Sequence, residues 1–302
     1  MPIDLIVVLL RWLQYAAAVV ALGLPLFRLY LPATSAESAW RSTVVLAGLL
    51  LAVAATAGLL AQTAMMAGGW GAALDVAAIG YVIQSTSLGI AHVARAGFAL
   101  LGVILLLAGR GQRLMTVMAA VAFAGATASF AWSGHGASSE GAAGMVHLVA
   151  DIIHALAAAV WLGALAGFCL LLTRHDRGDV EASARSLAGF GTMGTAAVLA
   201  LTLSGMVNAA FLVGMEGSDR LASSAWGQLL FAKLLLFTIM VWLASHNRYT
   251  LTPALERAFE SGDDTGEAVR SLRISVGVEM AAGIALLGLV AAMGVQMPPA
   301  SM

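Results

Sequence analysis

"MVHLVADIIHALAAAVWLGALAGFCLLL", residues 145–172, decides how the chain is to be read. At ~1.5 Å of rise per residue, a helix of this length reaches further than the ~30 Å hydrocarbon core of a bilayer. Asp151 is its one formally charged side chain. That acid stands with two histidines: His147, Asp151 and His154 are spaced i, i+4 and i+7, which stacks them on one helical face. An apolar helix with one polar stripe reads as a membrane span whose stripe faces partners, water or substrate.

Working outward, comparable stretches lie at residues 4–29, 42–66, 88–109, 114–133, 185–213, 226–246 and 271–295, each bounded by polar or turn-rich breaks. The chain is 61% hydrophobic and 10% charged, with a mean hydropathy of +0.92. Soluble domains carry roughly a quarter charged residues. The expected fold is therefore all-α, a polytopic bundle of about eight transmembrane helices forming a single domain over residues 1–302 and solvated by the lipid bilayer. Asp4 and the long apolar run to Tyr30 argue against a cleaved signal and for a retained first helix. Residues 67–87, broken by Gly68, Gly69 and Gly71, are too interrupted to span and are expected at the interface. Net charge is -1 and the basic residues are scattered singly, which excludes a nucleic-acid partner. Cys169, the lone cysteine, excludes an internal disulfide.

Orientation follows from the arginines, because short cytoplasmic loops carry an excess of Lys and Arg. Alternate connections hold Arg28 and Arg41; Arg110 and Arg113; Arg174, Arg177 and Arg185; and Arg248, Arg257, Arg270 and Arg273. The opposite connections hold Arg220 with Asp75, Glu140, Glu216 and Asp219. Both termini are thus expected on the non-cytoplasmic side. In the last cytoplasmic connection, Pro253 is expected to start a short surface helix.

Near the non-cytoplasmic surface the polar residues accumulate. His135 lies in "WSGHGASSEG", residues 132–141, just ahead of His147, and His92 enters from the third span. Imidazole ligates copper, zinc, iron and nickel, and a carboxylate completes such a site or fixes the imidazole tautomer. His135, His147, Asp151, His154 and His92 are candidate metal ligands on that ground. Met145 joins them as a soft thioether donor, in company with Met65, Met66, Met293 and Met297 at the same level. Helix-to-helix hydrogen bonding or a proton relay would use the same residues. A haem held by His92 and His154, or a hydrolase using metal-activated water with Asp151 or Glu140 as base, are further readings. Arg11, Arg95, Lys233 and Glu279 are buried charges that need partners, and Lys233 can pair with Asp151 or with Glu279. Asn208 and Gln62 offer additional polar contacts.

"SGHGA" (133–137), "HLVADIIHALAAAVWLGAL" (147–165), "LSGMVNAAF" (203–211) and "LLFAKLLLFTIMVWLASHNR" (229–248) resemble the CopD copper-resistance membrane proteins across essentially the whole chain. The most specific pieces are the histidine-rich helix running into Trp-Leu-Gly and the Lys followed at a distance by Asn-Arg. The resemblance implies a multi-pass protein of the bacterial inner membrane that moves a copper ion, Cu(I) or Cu(II), from periplasm toward cytoplasm. It also implies work with a separate periplasmic CopC-like copper-binding protein. The path beyond the outer ligands would depend on Glu279, Asn208 and methionines such as Met206 and Met240.

Overall fold

A computed structural model describes residues 3–30, 37–134, 141–172, 177–214, 218–261 and 265–302. Among these the chain is helical and contains no strand. The long helices are α1 (Ile3–Tyr30), α2 (Glu37–Met66), α4 (Ser87–Gly109), α5 (Arg113–Ala128), α6 (Gly141–Leu172), α7 (Arg177–Val213), α8 (Ala225–His246) and α10 (Gly266–Met293); α3 (Val76–Ser85) and α9 (Thr252–Ser261) are short. Eight helical segments are long and apolar enough to cross a membrane. An even number of crossings returns the chain to the side on which it began.

Residues 67–87 behave as their glycines predict. A one-turn 3-10 helix at Trp70–Leu74 leads into the ten residues of α3, too short to span and exposed at Leu74, Val76 and Tyr81. Asp75 caps α3 by accepting from Ala77 N at 2.9 Å. Thr86 then accepts from Gly89 N at 3.0 Å while donating to Val82 O, so that α4 starts directly from the end of α3.

Helices α1 and α6 form the central seam. α1 also packs on α2, α5 and α10, and α6 on α7 and α10. The seam depends on the absence of two side chains: a Cβ at Gly23 would collide with Gly163 Cα, and a Cβ at Gly163 with Gly23 Cα. Backbones this close gain van der Waals contact, which is what drives helix association when lipid is as apolar as the helix faces. Near the start of α2, Arg41 finishes the C-terminal end of α4 by donating to Leu106 O at 2.7 Å and Leu107 O at 3.1 Å.

One segment departs from expectation. Instead of ending near His246 in a free loop, α8 continues through a π-turn, Asn247–Leu251, into α9. Pro253 does lie at the start of α9, yet the helix is docked rather than floating: Leu255 and Thr252 are buried against the bundle.

Candidate functional site

Three side chains of α6 define the site. His147, Asp151 and His154 all line one cavity of about 220 Å³, walled by α1, α6, α7, α8 and α10. Asn208 on α7 donates from Nδ2 to Asp151 Oδ1 at 3.0 Å. The amide oxygen of Asn208 is buried with no partner among the described residues. Lys233 on α8 lines the same cavity and interacts electrostatically with Asp151, the first of its two expected pairings. Glu279, the alternative, is bonded instead by Asn247 Nδ2 at 3.0 Å.

His154 is anchored by Ser204: its Nδ1 lies 3.0 Å from Ser204 Oγ, which is also within hydrogen-bond reach of Ala200 O. With the hydroxyl hydrogen on Ala200 O, the serine oxygen accepts from Nδ1–H, the tautomer that leaves the Nε2 lone pair free. His147 is held differently: its ring lies flat on Phe211, with centroids 4.7 Å apart and planes 3° off parallel. From His147 to His154 the helix rises ~10 Å, so the two rings are successive stations rather than walls of one cage. Consistent with that spacing, no group of three His, Cys, Asp or Glu side chains among the described residues stands close enough to hold a metal ion together.

The remaining expectations divide. His135 lies outside the described residues; Gly134, immediately before it, lines the cavity. Met293 lines the cavity, whereas Met145 is 61% exposed. Met206 is also exposed, while Met240 is buried. His92 lines neither cavity described here. Its Nδ1 donates to Leu88 O at 2.9 Å, and its Nε2 points with Gln14 Nε2 into the gap left by Gly58. His92 thus faces α1 and α2 while His154 faces α7, and the two rings do not flank a common space for a porphyrin. The pairing of these two histidines was suggested by residue type alone, which carries no information about helix rotation.

Arg95 finds partners, none of them acidic. Its guanidinium donates to Gln14 Oε1 at 2.7 Å, Ser129 Oγ at 3.1 Å, Ser129 O at 3.2 Å and Ser133 Oγ at 2.8 Å, and covers the Phe130 ring at 3.9 Å. Arg11 lines the cavity and ties its rim together by donating to Gly294 O at 3.0 Å and Ser133 O at 3.4 Å. Sequence reasoning missed Ser204, whose only signal was its place between Leu203 and Gly205 in the quoted motif.

A second cavity, of about 310 Å³, opens between α6, α7, α10 and the π-turn. Along α8 it lies ~21 Å beyond Lys233 at the level of Asn247. Glu279 lines it, so this acid sits beside Asn247, past the C-terminal end of α8. α10 begins at Gly266, five residues before the predicted start, and overshoots α8 at that end. Leu162 and Met240 meet over Gly283, which lies on α10 between the residues lining the second cavity (Val276, Glu279) and those lining the first (Leu286, Leu287).

Two family descriptions match the chain: copper resistance protein D-like, N-terminal domain, over residues 1–145, and copper resistance protein D over residues 184–293. The chain is also 35% identical over 312 residues to the copper resistance protein D of Pseudomonas syringae pv. tomato, covering 98% of this chain and 97% of that protein. The chain belongs to the copper resistance protein D family. Inner membrane protein YebZ of Escherichia coli (strain K12) is 32% identical over 130 residues, 41% of this chain and 42% of YebZ. Copper transport protein CutJ of Bacillus subtilis (strain 168) is 28% identical over 184 residues, 59% of this chain and 33% of CutJ. No solved structure matches. With its eight apolar spans, this family member is a multi-pass protein of the bacterial inner membrane. Asn208, Lys233 and Glu279 fall within the second matched region, while His147, Asp151 and His154 lie between the two.

Proposed function

We propose that this protein is a copper transporter rather than an enzyme, and that the ion enters through the cavity lined by His147, Asp151 and His154. The observation that carries the proposal is the single polar track on α6, opening on a cavity in which the tautomer of His154 that donates to Ser204 leaves the Nε2 lone pair free. Imidazole suits copper in either oxidation state that the site must handle. Ligands ~10 Å apart bind in succession, and conduction requires sites strong enough to admit an ion but weak enough to release it. A closed cage would store copper; a track passes it on.

Lys233 adds a control. With the cavity empty of copper, its ammonium balances Asp151; an arriving cation competes with that ammonium for the carboxylate. The arginine-rich connections support a periplasmic position for the His147 end, hence entry from the periplasm, with a CopC-like protein as donor. Beyond His154, the buried thioether of Met240 is the soft donor positioned along the way to the second cavity.

The test is copper flux into proteoliposomes. The His147→Ala/His154→Ala double variant is expected to lose flux while eluting from gel filtration like the parent. Unchanged flux in that variant would refute the assignment.

A further inference from the structure

The second cavity presents a different chemistry. Glu279, Asn247 and Thr252 all line it and are 1%, 4% and 4% exposed. Each also holds an oxygen with no hydrogen bond of standard length among the described residues: Glu279 Oε1, Asn247 Oδ1 and Thr252 Oγ1, with the Trp161 indole, on the same wall, standing off the Glu279 carboxylate as a long-range donor. The π-turn brings two of them together. In an α-helix, residues five apart are rotated by roughly 140° from one another. Here the N–H of Thr252 bonds Asn247 O, closing a wider turn that carries both side chains toward Glu279. Such insertions in helices recur at functional sites.

Among the described residues no histidine, cysteine or methionine lines this cavity, and the candidate ligand atoms are oxygens. Imidazole and sulfur suit copper, whereas carboxylate, amide and hydroxyl oxygens suit hard cations. Glu279 supplies one negative charge, so a monovalent ion balances it. Arg248, itself exposed, is the one cation lining the cavity among the described residues, and its Nη1 donates to Gly191 O and Thr195 Oγ1, both at 2.7 Å, rather than to the carboxylate. On α6, Cys169 feels the charge of Glu279 but does not line the cavity. Glu256, Arg257 and Glu260 on α9 are exposed, and His246 stacks on Trp242, itself 65% exposed. Buried acceptors without standard hydrogen bonds, on three residues that line one space, are stabilised when a donor or a cation occupies it.

We infer that this cavity binds a hard monovalent cation, a proton or sodium, on Glu279 with Asn247 and Thr252 as neighbouring oxygens. The site shares no lining residue with the copper-entry cavity, and the assignment of its occupant does not depend on the copper reading.

Difference infrared spectroscopy of the copper-free, detergent-purified full chain tests it, in choline and in sodium chloride, from pH 5 to pH 9. The parent is expected to show a carboxylic-acid carbonyl band that Glu279→Gln lacks. With a proton as occupant, raising pH removes the band equally in both salts. With sodium, the salt removes it at a pH where choline leaves it, and Thr252→Val weakens that effect several-fold. A parent spectrum with no carboxyl change across pH and salt would overturn the inference, whatever the variants do. So would an identical carboxyl change in folded Glu279→Gln.

Discussion

Arg95 and Lys233 are both cations inside apolar helices, yet their surroundings differ. Arg95 is 1% exposed and distributes its hydrogen bonds over Gln14, Ser129 and Ser133, drawing α1, α4 and the turn after α5 into one knot. Lys233 faces a cavity together with Asp151, and Asp151 is shared with Asn208. A buried charge whose three nitrogens are all hydrogen-bonded rigidifies the bundle. One that shares a hollow with its counter-charge is free to exchange that partner for an incoming ion.

Removing Arg95 should break the most. Arg95→Ala would leave several buried acceptors without their charged donor, for an expected loss on the order of 3 kcal/mol, seen as a markedly lower thermal midpoint in detergent. Lys233→Ala should barely move that midpoint. If the two variants destabilise equally, the contrast between them fails.

Within the copper cavity the effects should be graded. His154→Ala is expected to weaken copper binding by about a hundredfold, at the upper end of what losing a supporting group costs. Ser204→Ala should cost about tenfold, because Nδ1 loses the acceptor that fixes the tautomer. Titration against a competing chelator separates the two, and a Ser204→Ala affinity equal to the parent's would show that the tautomer is set elsewhere. His92→Gln should leave copper affinity unchanged, since that ring lines neither cavity; a loss comparable to His154→Ala would place His92 back among the ligands.

Much of this was readable from residue order. The spans at 88–109 and 226–246 differ by a single residue from Ser87–Gly109 and Ala225–His246, because hydropathy and helix length fix them locally. The i, i+4, i+7 stripe was legible for the same reason: one helix carries all three groups. Other features needed tertiary structure. The continuation of α8 past His246 rests on docking of Leu255, which no local pattern records. The second cavity gathers Asn247, Thr252 and Glu279 from separate segments, and only the glutamate looked unusual in sequence. Its separate elements were nonetheless present in the Lys…Asn-Arg signature, for Lys233 faces the first cavity and Asn247 and Arg248 the second.

The most direct test of the central claim is X-ray absorption of the detergent-purified parent, loaded anaerobically with Cu(I) and separately with Cu(II). Retention of copper with imidazole nitrogen in the first coordination shell, lost in the His147→Ala/His154→Ala variant, is the expected result. Copper coordinated by sulfur alone, or retained equally by that variant, would contradict entry through the α6 track.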